Sequence, residues 1–290
     1  TWSAVGADAA RGGAEQAFGQ RLDALVDYAR ARVVLAADCD FLGNEPRANR
    51  ARRLFAEGRR ITGPGDEMNR LYAVEGTLSL TGMSADHRLR LAPSQVDRYL
   101  RALAARLASE GVSLPGGVGE AVRGVTVEGV PVEWVNAVAA DLMENRGQSA
   151  VVVGSGQPAH VHALAHAINA GLGNLGTTVQ LFPVVDAEAS DSLASLTELV
   201  TAMRGGDVDT LFVFGGNPVY DGPGDVDFAG AMGSVETVVR LGTHDDETSR
   251  AAAWFLPMAH PLESWGDHRA VDGTLSVQQP LIAPLRGGRS

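Results

Sequence analysis

The chain has 290 residues, 45% of them hydrophobic and 20% charged, which describes a folded globular protein able to bury a sizeable core without staples. Its one cysteine, Cys39, excludes an internal disulfide framework, a four-cysteine zinc site and any iron–sulfur cluster held by this chain alone. All 24 basic residues are arginine, which excludes Schiff-base lysine chemistry and a P-loop; the net charge of −11 gathers in residues 111–290, where 21 acids face 8 arginines, a balance unsuited to nucleic acid.

In chain order, residues 32–37 (RVVLAA) read as a buried strand, followed by a loop at 38–46 and an arginine-rich helix over 47–58. Residues 69–75 form a second strand that ends in the turn-rich 76–82. Ser94 marks the start of a helix with Val96, Tyr99, Leu100, Leu103 and Leu107 at helical spacing, closed by Gly111. Residues 112–131 carry five glycines and two prolines, and are the expected linker between two lobes, 1–115 and 116–290. Beyond it come a helix at 133–145, a strand at 150–153, a helix at 159–172 and a strand at 178–182. A helix at 191–203 and strands at 210–214 and 237–241 complete the pattern. Apolar strands alternating with amphipathic helices predict α/β architecture with mostly parallel, Rossmann-like sheets flanked by helices in both lobes. The longest run without a charged residue, 147–185, is broken throughout by Gly, Pro, His, Asn and Gln, so no spanning helix is predicted. The chain begins at Thr1 without an initiator methionine or signal peptide and is expected to be a segment of a longer protein.

Two glycine-rich turns could carry chemistry. Gly154-Ser155-Gly156-Gln157-Pro158-Ala159 matches G-x-G-x-x-A where a strand meets a helix, a turn whose amides and helix dipole favour an anion. A nicotinamide site also wants an acid at the end of the next strand, where Phe182 and Pro183 stand and Asp186 is the first acid; a plain tight turn is the competing reading. Gly215-Gly216-Asn217-Pro218 follows another strand in the same way, and is equally an ordinary turn sequence. His160, His162 and His166 crowd one helix without the H-E-x-x-H of a zinc protease and read as packing or capping residues. The arginines of 47–60 read as a solvated or partner-facing helix, and Cys39 as a buried structural thiol.

Taken in order, these loops resemble the molybdopterin oxidoreductase superfamily. Residues 151–156 and the run from Asn169 to Gly176 look like its strand, helix and L-G-N-x-G loop, and residues 214–218 look like its G-x-N-P pterin-facing loop. Glu247-Thr248, then Phe255-Leu256-Pro257, Glu263-Ser264-Trp265-Gly266 and Asp272-Gly273-Thr274 look like its tail. Residues 17–19, 38–42 (DCDFL), 68–72, 85–89 and 263–284 are similar to one branch, the large iron–sulfur subunit of bacterial alternative complex III. That resemblance covers nearly the whole chain. It implies a molybdopterin-like region that has lost its cofactor and serves as a scaffold, with iron–sulfur clusters in a separate ferredoxin-like part. It also implies haem-bearing and membrane quinol-binding partner subunits in a quinol-oxidising respiratory complex. The location implied is peripheral, on the periplasmic face of the cytoplasmic membrane, without direct membrane insertion.

On this reading no catalytic residue and no metal ligand lies in the segment, and it is not catalytic by itself. Gly154, Ser155, Gly156, Gln157, Gly215, Gly216, Asn217, Pro218, Glu247 and Thr248 are expected to line an empty relic pterin pocket at the carboxyl edge of one sheet, with Glu263, Trp265, Asp267 and His268 as less defined neighbours. The charge agrees: a bis-pterin dinucleotide is strongly anionic, whereas residues 111–290 carry −13. Backbone amides can hold phosphates without cations. A fragment of an active molybdenum bis-pterin enzyme, with molybdopterin bound, is therefore the alternative, and a nucleotide-binding Rossmann-like module is a second one.

Overall fold

The computed structural model describes residues 6–184, 192–285 and 287–289. The chain divides into two compact units, Ala7–Val185 and Asp186–Ser290 with Thr1–Gly6. This differs from the lobes expected at 1–115 and 116–290. Val112 and Val122 are buried in the same core as Leu103 and Val138, so the glycine-rich stretch packs into the first unit instead of linking two. Its glycines hide the periodicity, but its valines still reach the core.

The first unit runs α1 (Asp8–Phe18), β1 (Leu22–Val26), β2 (Val33–Ala37), α2 (Ala48–Gly58), β3 (Arg70–Glu75), α3 (Leu80–Met83), β4 (His87–Arg90) and α4 (Val96–Ser109). It continues with α5 (Val118–Ala121), α6 (Val132–Glu144), β5 (Ser149–Val153), α7 (Ala159–Gly171) and β6 (Val179–Pro183). Four strands form an all-parallel sheet in the order β4-β3-β2-β5, with Val33 opposite both Arg70 and Ser149. Both faces of the central strands are buried. Val33, Leu35 and Val74 pack with Leu100, Leu103 and Leu142 of α4 and α6, while Val34, Ala36 and Leu71 pack with Tyr28, Phe41 and Phe55. Each fully buried leucine here contributes about 1.5–3 kcal/mol relative to exposure.

Strand β6, expected to extend the parallel sheet, pairs antiparallel with β1 instead, Leu22 opposite Pro183 and Val26 opposite Val179. The open edge of β5 is sealed by a side chain. Asn169 accepts from the Val151 amide (3.0 Å) and donates to the Val151 carbonyl (2.8 Å), as a neighbouring strand would. Asn174 supports it by donating to Asn169 (3.0 Å) and accepting from the Ser149 hydroxyl (3.1 Å). Both asparagines are buried, which satisfies backbone groups that an apolar residue would leave unpaired.

The second unit runs α8 (Ser192–Gly205), β7 (Thr210–Phe214), α9 (Pro218–Asp221), α10 (Phe228–Met232), β8 (Thr237–Gly242), α11 (Glu247–Ala251), β9 (Trp254–Pro257), β10 (Gly266–Arg269) and β11 (Leu275–Gln278). The predicted start of α8 at Asp191, like Asp186, lies outside the described residues. Strands β7, β8 and β9 form a parallel sheet in that order, and β10 and β11 form an antiparallel hairpin. Leu196, Val200 and Met203 of α8 pack on Leu211 and Val238 with Phe228 and Met232. The α/β reading with parallel sheets flanked by helices therefore holds in both units.

Candidate functional site

In the four-stranded sheet the chain places β3 and β4 on one side of β2, then returns to place β5 on the other. Strand order reverses there, so the crevice between the carboxyl ends of β2 and β5 is the place where open parallel sheets take up ligands. Asp38 leaves one of those ends and Gly154-Ser155-Gly156-Gln157 leaves the other. The two segments touch: the Gly154 amide donates to the Ala37 carbonyl (3.1 Å), and a Cβ on Gly154 would lie 1.7 Å from the Asp38 carbonyl oxygen. Only glycine fits at 154. Asp38 itself holds a left-handed φ of 51°, a conformation that aspartate tolerates better than most residues.

The polar groups of this crevice satisfy one another. The Ser155 amide donates to Oε1 of Glu45 (3.0 Å), while Gln157 Nε2 donates to Oδ2 of Asp38 (2.8 Å) and to the Pro93 carbonyl (3.1 Å). A turn leading into a helix attracts an anion, and here a carboxylate of the chain itself takes that place. Burial pushes the Glu45 carboxyl above its usual range; the Ser155 hydrogen bonds oppose the rise, and the charges of Asp40 and Asp38 add to it. A phosphate set against the Ser155 amide would meet Glu45 and its acidic neighbours. The residues of this turn do not fit a dinucleotide phosphate.

The second loop is built differently. Gly215 and Gly216 adopt consecutive left-handed conformations, φ 60° and 64°, which L side chains rarely tolerate. Their carbonyls turn toward Arg240 of β8, whose Nη1 donates to Gly215 (2.9 Å) and whose Nη2 donates to Gly216 (2.5 Å). Arg240 is only 2% exposed, and it also pairs with Asp246 at 3.0 Å. Burial alone would raise the Asp246 pKa, but hydrogen bonds from Ser249 and Arg240 outweigh it and hold the carboxyl below its ordinary value. Asn217 Oδ1 accepts from the Thr248 amide (3.1 Å) and hydroxyl (2.7 Å), and its Nδ2 donates to Glu247 (2.7 Å). That last bond lowers the Glu247 pKa. Thr248 Oγ1 in turn accepts from the Val219 amide at 3.1 Å, and Pro218 opens α9 at its first position.

The structure thus joins Asn217, Pro218, Glu247 and Thr248 into one network with Gly215 and Gly216. The expectation of one shared sheet edge is corrected. The Gly154 turn and the Gly215 loop follow strands of two different sheets, because β6 pairs with β1 instead of continuing the first sheet toward β7. Of the remaining tail residues, Glu263 closes a capping box with His260, His268 bonds Gln278 (2.6 Å), and Trp265 is exposed. The second unit holds 16 acids against six arginines, and three of those arginines pair internally: Arg204 with Asp227, Arg240 with Asp246, Arg250 with Asp245. That donor set does not fit a strongly anionic cofactor either.

No family model and no curated protein sequence matches the chain. Among solved structures, the acetylene hydratase from Pelobacter acetylenicus superposes with a TM-score of 0.72 over 97% of this chain, at 14% sequence identity. The fold is molybdopterin-oxidoreductase-like. The chain spans 48% of the length of that structure.

Two residues central to these loops, Glu45 and Arg240, escape the sequence reading. Arg240 left a signal, as the lone charge inside the apolar strand Thr237–Gly242 (TVVRLG). Glu45 left none, since it meets Ser155 across 110 positions. His162 is buried and His166 half-buried, as packing residues are, whereas His160 is exposed with its Nε2 3.5 Å from Asp97. Among the described residues no group of three or more His, Cys, Asp and Glu side chains is arranged to hold a metal ion. Most arginines of 47–60 are engaged within the unit. Arg52 bonds the Leu42 and Gly43 carbonyls, Arg50 the Val26 carbonyl, and Arg59 pairs with Asp86 while covering the Phe55 ring. Cys39 is buried, and burial pushes its thiol pKa up, as for a structural cysteine.

Proposed function

We propose that this chain is a cofactor-free, molybdopterin-oxidoreductase-like scaffold segment of a membrane-associated, quinol-oxidising respiratory complex of the alternative complex III type. The observation that carries the scaffold part is the Glu45 carboxylate on the Ser155 amide, with Asp38 and Gln157 closed on each other beside it. The crevice where the fold would take up an anionic ligand is filled by the chain's own groups. The same filling disfavours the nucleotide-binding reading of Gly154–Ala159. Support for the complex comes from the sequence resemblance at residues 17–19, 38–42, 68–72, 85–89 and 263–284, which implies clusters, haem and a quinol site on other parts of such an assembly.

No helix among the described residues is long and apolar enough to cross a membrane. One surface feature supports a segment that docks against further protein. Phe212 and Phe214 of β7 and Trp254 of β9 stay exposed on a parallel sheet, an architecture whose faces are usually both covered. The test is purification of the full-length protein from membranes. Co-purification with haem-bearing and quinol-binding subunits on the periplasmic side is the expected result. Recovery of the protein alone, soluble at physiological salt, would overturn the assignment.

A further inference from the structure

In the second unit, one face of the parallel sheet β7-β8-β9 carries a contiguous apolar grid. The register sets Phe212, Val239 and Trp254 side by side across the three strands, and Phe214, Leu241 and Leu256 side by side two residues further on. Alternation along each strand sends all six to the same face. The Phe212 and Phe214 rings lie 6.2 Å apart and are inclined by only 20°. Phe212, Phe214, Trp254 and Leu256 are exposed, Phe214 at 69%. The alternate residues Leu211 and Val238 point the other way and pack with α8 and α10. One face is therefore covered by helices and the other is bare, whereas parallel sheets ordinarily have both faces covered. Strands about 4.8 Å apart make the grid about 10 Å wide, the width of a single α-helix.

The charge around the grid selects the kind of helix. Toward the amino ends of the strands the grid gives way to Thr210 and Thr237, which face each other across β7 and β8. Asp207, Asp209 and Glu236 stand just before those strands, all exposed. Among the described residues no ion pair engages these three acids, while Arg204, Arg240 and Arg250 are taken by other carboxylates. A second copy of the chain would bring a unit of the same negative sign, and an anionic membrane surface would be repelled likewise. A helix with an apolar stripe and cations at one end matches both the grid and its acidic edge.

We propose that this face is the docking site for a basic amphipathic helix of a partner protein. The apolar stripe of that helix lies on the grid from Phe212 to Leu256, and its arginines or lysines lie over Asp207, Asp209 and Glu236. The inference rests on the scaffold reading in taking this face for a protein contact, but its test needs none of the respiratory subunits.

Fluorescence anisotropy of a labelled synthetic peptide titrated with the full-length protein tests the proposal. The peptide, about 16 residues long, carries leucines at i, i+3, i+4 and i+7 and lysines at one end. It should bind saturably, one per chain, and about tenfold or more tightly than the same peptide with glutamates in place of the lysines. Added salt should weaken the binding. Phe214→Ser combined with Trp254→Ser should lower the affinity about tenfold or more, and Asp209→Asn combined with Glu236→Gln should remove the preference for lysine. All four side chains are exposed, so these changes spare the core. The unsubstituted protein supplies a further readout: the lysine peptide should slow hydrogen exchange in β7, β8 and β9 and leave the first unit unchanged. Absence of saturable binding, equal affinity for the two peptides, or binding untouched by Phe214→Ser with Trp254→Ser would each overturn the proposal. Self-association of the full-length protein that this double variant abolishes would also overturn it, by assigning the face to a second copy. Failure of peptide binding leaves the respiratory assignment standing, and recovery of the protein without haem-bearing subunits leaves the peptide result intact.

Discussion

The two glycine-rich loops began as equivalent sequence features, yet the molecule closes them by opposite means. At Gly154 the loop's amide is met by a carboxylate, Glu45, so the group that would grip an anion is taken. At Gly215 the loop's carbonyls are met by a buried cation, Arg240, which anchors the left-handed glycines from below while Asn217, Glu247 and Thr248 tie the rim. The first arrangement occupies the amide that an anion would need, and the second anchors the loop's carbonyls. A strand–turn–helix glycine motif therefore says where a phosphate could sit, and only the groups facing its amides say whether it can.

The comparison breaks most visibly at Arg240. Arg240→Met leaves Asp246 and the Gly215 and Gly216 carbonyls without their buried partner, and should cost about 3–5 kcal/mol. Differential scanning calorimetry should show the loss in the transition of the second unit alone. Acidification should act on the first unit. Burial lowers the pKa of His162 and His166 from an ordinary 6.5 to about 4, so the unfolded chain takes up protons that the folded one refuses. Stability is fully present above about pH 6.5 and is lost as pH falls toward 4, by on the order of 3 kcal/mol per histidine at full extent. Glu45, whose pKa is raised, acts in the opposite sense just above the ordinary carboxylate value; urea titrations across pH 4–7 would resolve the net slope.

Smaller effects sharpen the contrast. Gly154→Ala forces a Cβ onto the Asp38 carbonyl and should destabilise the first unit by about 1–3 kcal/mol, measured by chemical denaturation. Asn217→Ala removes the bonds to Glu247 and Thr248 and should cost about 1–2 kcal/mol; if the proposed respiratory-complex reading holds, quinol oxidation is retained in complexes that assemble fully. Loss of oxidation in a fully assembled complex would place a working electron path beside this loop.

Much of the fold is legible in the sequence because β2, β3, β5, β7 and β8 are short apolar runs between amphipathic helices, and each appears where the pattern puts it. Strand β1 and helix α1 are not legible. Leu22–Val26 (LDALV) carries a charge that finds its partners only in the folded unit, where Asp23 meets Arg11 and Arg47. The boundary between units is misread for a related reason: glycine content marks residues 112–131 as a linker, but Val112 and Val122 are core residues. At the candidate site, the loops themselves are visible as motifs, while the groups that decide their chemistry are distant in the chain. Asn169 and Asn174 show the same limit. Their motif resembles a loop of the superfamily, and their work here is to seal the edge of β5.

The central claim is that this molybdopterin-oxidoreductase-like fold carries no pterin cofactor, and elemental analysis addresses it most directly. On the proposed reading, the full-length protein purified from membranes contains molybdenum and tungsten only far below one atom per chain. Release of an oxidised pterin, or either metal at one atom per chain, would contradict the account and restore the reading of an active molybdopterin enzyme.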